Sequence, residues 1–312
     1  MQLRSPTLME VAPRDGLQNE PDQLPTDAKL ALIEGALAAG VRRIEVTSFV
    51  HPGRVPQMAD AERVCERLPE RDDVRYTGLV LNRRGLDRAV ATGRLHEVGM
   101  VAVASDTFGE RNQGMRAQAS VDAALEVFEG ARAAGLDAQV TIACAFGCPF
   151  EGEVPRDRVI ELARRLVAEA PADARPTEIA LADTIGVGVP GQVLDLFPAD
   201  PRGDRPRHSP ARPFPRYPPD RHRQCLRRPC RPVSAVLDAS IGGIGGCPFA
   251  PTRHRQHRHR GPALHARPAW TGHRSGPGRD PGHLRAPGHR PRPRAAARVA
   301  AGWGLPRPEA RP

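Results

Sequence analysis

Leu8-Met-Glu-Val-Ala-Pro-Arg-Asp-Gly-Leu-Gln-Asn-Glu20 starts largely apolar and then turns polar. Leu8 to Ala12 reads as a buried strand. Arg14 and Asp15 fall at its C-terminal end, and Gly16 begins a turn. Asp15 suits a hard cation through oxygen. Arg14 offers fixed donors that neutralise a developing oxyanion. An isolated Arg-Asp pair reads equally well as a solvated ion pair in a loop, so the surrounding chain has to decide.

Working outward, similar runs recur at Ile44–Phe49, Tyr76–Leu81, Val98–Ala104, Ala138–Ala145 and Ile179–Ala182. Helical patterns lie between them. Thr26 reads as an N-cap, with apolar residues at helical spacing from Lys29 and a stop at Gly40. Ala119–Ala134 stops at Gly135 in the same way. Pro155–Ala170 and the segment opening at Pro190 carry Pro in the first turn. Six strand-then-helix units predict an α/β fold with a parallel sheet and helices outside. A doubly wound sheet satisfies that pattern. A (β/α)8 TIM barrel fits better, because polar residues follow nearly every strand: Arg14-Asp15, Thr47-Ser48, Asn82, Ser105-Asp106, Asp183-Thr184. In barrels the site collects at those ends. Glu45 lies inside an apolar strand and shares a face with Thr47 by simple alternation. If that face is the lumen, Glu45 needs a partner, and Arg14 on the neighbouring strand is the obvious one.

The 312 residues suffice for one barrel or two smaller domains. No run of 18 apolar residues is present, so no membrane span is expected, and no targeting segment is read at the N-terminus. The six Cys have no zinc-knuckle spacing, so reduced thiols in a cytoplasmic enzyme are expected. Charge is sharply divided. Residues 1–197 hold 22 Lys plus Arg against 30 Asp plus Glu, a net −8. Residues 198–312 hold 24 against 6, a net +18, with nine of the eleven His. A basic tail of this kind raises nucleic-acid binding as a reading. However, Trp270 is the single aromatic residue in the 50 positions after Pro251, and no stacking pattern accompanies the charge.

Several blocks together resemble the hydroxymethylglutaryl-CoA lyases. They are Ala12-Pro-Arg-Asp-Gly-Leu-Gln-Asn-Glu20, Ile44-Glu-Val-Thr-Ser-Phe-Val-His-Pro52, Val55-Pro-Gln-Met-Ala-Asp60, Val103-Ala-Ser-Asp-Thr-Phe108 with Asn112, Ala145-Phe-Gly-Cys-Pro-Phe-Glu-Gly152 and Ala182-Asp-Thr-Ile-Gly-Val-Gly188. The likeness resumes at Leu237-Asp-Ala-Ser-Ile-Gly-Gly-Ile-Gly-Gly-Cys-Pro-Phe-Ala-Pro251. That glycine loop with Cys247 separates these lyases from isopropylmalate and homocitrate synthases on the same metal-dependent barrel. Another metal-dependent aldolase or Claisen-type enzyme of that barrel is the alternative the loop speaks against.

The resemblance implies retro-Claisen cleavage of 3-hydroxy-3-methylglutaryl-CoA to acetyl-CoA and acetoacetate with Mg2+ or Mn2+. It implies that Arg14 stabilises the acetyl-CoA enolate and that Cys247 relays a proton. Glu45 and Asp183 would join them as catalytic residues, Asp15 would hold metal, and Gln18 and Ser48 would bind substrate. The implied partner is an acyl-CoA, with a homodimer as one assembly compatible with the family.

The family then calls for a seventh strand carrying His-x-His as metal ligands. No such pair stands on a strand pattern here. Residues 198–232 lack periodicity. Residues 252–312 contain four Ile, Leu or Val, namely Leu264, Leu284, Val299 and Leu305, too few to bury a helix. His257 and His259 lie among arginines with no strand signal. Codon arithmetic explains the gap. Pro213-Phe-Pro-Arg-Tyr217, written CCA TTT CCA CGA TAC, gives His-Phe-His-Asp-Thr when read one base later. Arg221–Arg228 gives Gly-Thr-Gly-Asn-Ala-Tyr-Ala-Ala at the same offset. Arg253–Gly261 gives Gly-Thr-Gly-Asn-Ile-Ala-Thr-Glu-Asp, a family segment with a metal-site Asn. The expected organisation is a barrel domain over 1–251, out of frame at 198–232, and a basic, disordered out-of-frame tail over 252–312. Such a chain keeps Arg14, Asp15, Glu45 and Cys247 but loses three metal ligands, so little or no catalysis is expected.

Overall fold

The computed structural model describes residues 7–196, 226–229, 236–248 and 258–259. Six parallel strands run in chain order: β1 (Thr7–Glu10), β2 (Arg43–Ser48), β3 (Arg75–Leu79), β4 (Glu97–Val103), β5 (Asp137–Ala143) and β6 (Glu178–Leu181). Then come β7 (Leu226–Pro229), β8 (Val236–Ile241) and the two-residue β9 (Arg258–His259). β8 pairs in parallel with β1, matching Thr7 to Val236 and Glu10 to Ala239. The sheet therefore closes on itself as the expected α/β barrel. Its seventh position is irregular: β7 runs antiparallel to both β6 and β8. The Pro213–Tyr217 segment lies outside the described residues.

The helices are α1 (Thr26–Ala38), α2 (Ala61–Glu66), α3 (Arg83–Ala91), α4 (Asp106–Gln113), α5 (Ala117–Ala133), α6 (Arg156–Ala168) and α7 (Pro190–Leu196). They cover the outside of the sheet through apolar stripes. In α5, Val121, Ala124, Val127, Phe128 and Ala131 recur at helical spacing and are all fully buried. Gly40 and Gly135 take the left-handed conformation just past α1 and α5, as their sequence positions predict.

Four local expectations are corrected. Pro25, not Thr26, caps α1. Thr26 instead donates to Asp60 at 2.7 Å. β1 ends at Glu10, and Ala12–Gly16 winds as a π turn with Pro13 in its first turn. Simple alternation also fails in β2: a bulge separates Glu45 from Thr47, and the Thr47 hydroxyl meets the Met58 sulfur at 3.9 Å. Finally, Arg258–His259 pairs with Ser240 and Ile241, where the sequence shows no strand signal. Pairing by β1 and β7 stops at Ala239 and Leu237, and backbone pairing needs no apolar periodicity.

Strands β2 to β6 begin one residue earlier than their apolar runs, on charged residues. Arg43 donates to Glu97 at 2.7 Å and to Glu178 at 2.8 Å, and Thr77 donates to Glu97 at 2.8 Å. All three ionic side chains are buried or nearly so. They come from alternate strands, as a barrel layer does, and close the N-terminal end of the lumen.

Candidate active site

At the opposite end of the strands lies a cavity of about 1060 Å³. Arg14, Asp15, Gln18, Glu45, Asp183 and Cys247 all line it. The turn after β1 supplies Arg14 and Asp15. Glu45 comes from β2, Asp183 follows β6, and Cys247 sits on the glycine loop after β8.

Arg14 is the hinge of the charge arrangement. Its Nε lies 2.7 Å and its Nη2 2.6 Å from Glu45 Oε2, while Nη1 donates to Asp15 Oδ1 at 3.0 Å. Burial works against the guanidinium charge. Glu45 and Asp15, with the Glu45 hydrogen bond and Asp238 behind them, outweigh it and raise the Arg14 pKa above its ordinary value. Arg14 thus stays cationic and fixed. The expected Arg14–Glu45 pairing is present, on the lumen face. Glu45 Oε1 and Gln139 Nε2 each lie 3.6 Å from the space a Cβ would fill at Gly99, so the missing side chain keeps that floor open.

The other expected residues differ in placement. Gln18 lines the cavity, and its buried Oε1 has no hydrogen-bond partner among the described residues. Asp183 lines it too, but its two oxygens accept from Val187 N and Gly188 N at 2.9 Å each, so it ties down the loop after β6. Ser48, which the resemblance implied for substrate, is fully buried, its Oγ unpartnered among the described residues, and it is absent from the cavity wall. Ser105 caps α4 through Phe108 N at 3.1 Å and meets the Cys148 sulfur at 2.9 Å.

Sequence reasoning passed over Asp238. It lines the cavity from β8 and adds to the field on Arg14. An acid within an apolar strand is the signal that singled out Glu45, and it was available at Asp238 as well. The cavity carries both signs of charge. Four carboxylates (Asp15, Glu45, Asp183, Asp238) line it with Arg14, and so do Arg54, Arg84, Arg88 and Arg111. Arg54 and Arg84 are exposed. Arg88 is held by Glu62 at 2.7 Å, and Arg111 lies 4.2 Å over the Phe150 ring.

Among the described residues no three His, Cys, Asp or Glu side chains converge as a metal-binding group. One oxygen of Asp15 is already engaged by Arg14. Mg2+ demands near-octahedral oxygen coordination, and the described donors do not meet it.

Closed barrel, carboxylate-and-arginine floor and glycine-loop thiol together define a class, and the chain belongs to the HMGL-like family, whose signature matches residues 5–199. This is a family of acyl-CoA lyases, typically metal-dependent. The chain is 35% identical over 246 residues to the mitochondrial hydroxymethylglutaryl-CoA lyase of Bos taurus, covering 78% of this chain and 72% of that protein. It is 39% identical over 267 residues to the (R)-citramalyl-CoA lyase of Chloroflexus aurantiacus, covering 78% of each. Among solved structures, it resembles a hydroxymethylglutaryl-CoA lyase from Pseudomonas aeruginosa with a TM-score of 0.64 at 31% identity, over 79% of this chain and 80% of that one. An HMG-CoA lyase from Acinetobacter baumannii, in complex with coenzyme A and 3-methylmalate, gives a TM-score of 0.64 at 30% identity, over 81% and 80%. No helix among the described residues is long and apolar enough to cross a membrane.

Proposed function

We propose that the cavity binds an acyl-CoA and is built for retro-Claisen cleavage of 3-hydroxy-3-methylglutaryl-CoA to acetyl-CoA and acetoacetate. One observation carries this reading: Arg14, Asp15, Glu45, Asp183 and Cys247, separated by up to 233 residues of chain, line a single cavity. Gln18 adds a buried acceptor with no partner among the described residues, the kind of atom a substrate donor satisfies.

In the cleavage, a base takes the proton of the tertiary hydroxyl. The C–O electrons form the ketone of acetoacetate as the adjacent carbon–carbon bond breaks. Its electron pair passes into the thioester, giving the enolate of acetyl-CoA. Arg14, held by Glu45, faces that oxyanion with fixed donors, where preorganised charge is most effective. Cys247 gives its proton to the enolate carbon and recovers one from the base. The exposed lining arginines Arg54, Arg84 and Arg111 suit the phosphates of coenzyme A. A metal would polarise the substrate's hydroxyl and carbonyl oxygens, but the described donors do not form its cage, so no step is assigned to it.

The frame reading accounts for that deficit. The family signature stops at residue 199, next to the first shift placed at about 198. The seventh barrel position is held by a reversed strand. Both observations support a coding sequence that leaves the family frame there, re-enters it for 233–251 and leaves it again. The chain as written therefore binds the thioester and turns over little or none of it. Citramalyl-CoA is the second reading, favoured by the 39% identity to a lyase of that name. The test is an acetoacetate assay with Mg2+ beside calorimetric titration with 3-hydroxy-3-methylglutaryl-CoA and citramalyl-CoA. Binding of the first without turnover is the expected result. Absence of binding to either thioester overturns the acyl-CoA reading, and tighter binding of citramalyl-CoA selects the second substrate.

A further inference from the structure

The glycine loop that carries Cys247 is fastened to the turn that carries Arg14 and Asp15, and the fastening involves residues outside the chemistry. Glu10 is buried, 1% exposed, at the end of β1. Its Oε1 accepts from Ala12 N at 2.8 Å and from Ile241 N at 3.1 Å. Ala12 opens the Arg14–Asp15 turn, and Ile241 is the last residue of β8 before the loop. One carboxylate oxygen thus joins the bases of both segments. Buried, it is compensated by fixed N–H donors.

Further out the two segments touch backbone to backbone. Gly245, at φ +100°, leaves space where a Cβ would lie 2.9 Å from the Asp15 carbonyl oxygen and 2.9 Å from Gly16 Cα. Ser240 Oγ donates to Ile244 O at 2.8 Å and shapes the loop from within. At the tip, Asn19 Nδ2 donates to Gly246 O at 2.7 Å. That carbonyl belongs to the peptide joining Gly246 to Cys247.

We propose that Glu10 and Asn19 are positioning residues that hold the Cys247 loop against the Arg14–Asp15 turn, Glu10 at its base and Asn19 at its tip. Four glycines at positive φ, Gly242, Gly243, Gly245 and Gly246, leave the loop backbone few conformational restraints of its own. Its register over the cavity is set from the β1 side. The role in catalysis rests on the lyase reading above, while the holding itself is testable without turnover.

Cys247 is partly exposed, so the rate at which iodoacetamide alkylates it, read peptide by peptide in the mass spectrometer, reports how the loop presents its thiol. Buried Cys65, whose thiol pKa is pushed up to about 12 by burial, reports unfolding in the same sample. Asn19→Ala and Asn19→Asp, neither able to donate to Gly246 O, should raise the Cys247 rate about tenfold with Cys65 still protected. Glu10→Leu should raise it similarly. Glu10→Gln keeps a carbonyl oxygen for both N–H groups and should restore the parent rate, which a requirement for charge or mere bulk would not produce. Labelling of Cys65 in Glu10→Leu would mean unfolding, and the exposed Asn19 position then decides. Parent-like Cys247 rates in both Asn19 variants overturn the proposal, as does a Glu10→Gln rate equal to that of folded Glu10→Leu. Failure of the lyase reading would appear instead as absent thioester binding with the labelling pattern intact.

Discussion

Arg14 gathers three kinds of constraint in one side chain: burial, an ion pair with a buried carboxylate and exposure of one face to a cavity. Glu45 is 3% exposed and Arg14 15%, so removing either takes a buried counter-charge from the other. Glu45→Ala should destabilise the fold by about 3–5 kcal/mol, and Arg14→Ala/Glu45→Ala by clearly less than the sum of the single changes. Urea unfolding of the four proteins measures this; strict additivity would mean the pair is not coupled. This residue pair was legible in the sequence, because an acid in an apolar strand demands a partner. Asp238 carries the same signal. Thr47 was placed with Glu45 by simple alternation, which cannot show the bulge between them. Asp183 was legible as a strand-end acid, but its bonds to Val187 and Gly188 follow from loop geometry that no residue type announces.

Among the elements, the six strands and helices α1, α5, α6 and α7 were legible from periodicity and first-turn residues, while the short α2, α3 and α4 and the charged first residues of β2, β4 and β6 escaped it. A search for apolar runs begins each strand after Arg43, Glu97 and Glu178, although their mutual pairing is what allows them inside. The loop between β5 and α6 makes a comparable polar link to α4. Thr107 N donates to Glu151 Oε1 at 2.7 Å. Burial works to raise the Glu151 pKa, but bonds from Thr107 and Ser105, with Arg158 nearby, hold it below the ordinary glutamate value. A carboxylate lowered on folding adds stability above its unfolded pKa and loses it as pH falls through the folded value. The Tm difference between the parent and Glu151→Gln should therefore be largest near neutrality and shrink as pH falls below the ordinary glutamate range. A difference that is flat with pH would show that the link acts without its charge.

For the molecule as a whole, the barrel was legible from its first 197 residues because each βα unit repeats one pattern. Its closure through β8 was legible from the Leu237–Pro251 block. The reversed β7 was not, since Leu226-Arg-Arg-Pro229 carries no strand alternation and takes its conformation from the neighbours it pairs with. On the proposed reading, shifts in the coding sequence displace the metal ligands from a lyase pocket. The most direct test is to restore the frame by single-base edits near codons 198, 232 and 252. Mn2+ binding and acetoacetate release from 3-hydroxy-3-methylglutaryl-CoA are then measured beside the chain as written. The edited protein should bind Mn2+, gain thermal stability from it and release acetoacetate. Arg14→Ala in the edited protein should keep the metal and lose turnover. The chain as written should release none. A soluble, folded edited protein that neither binds Mn2+ nor turns over, or family-level turnover by the chain as written, would contradict the account.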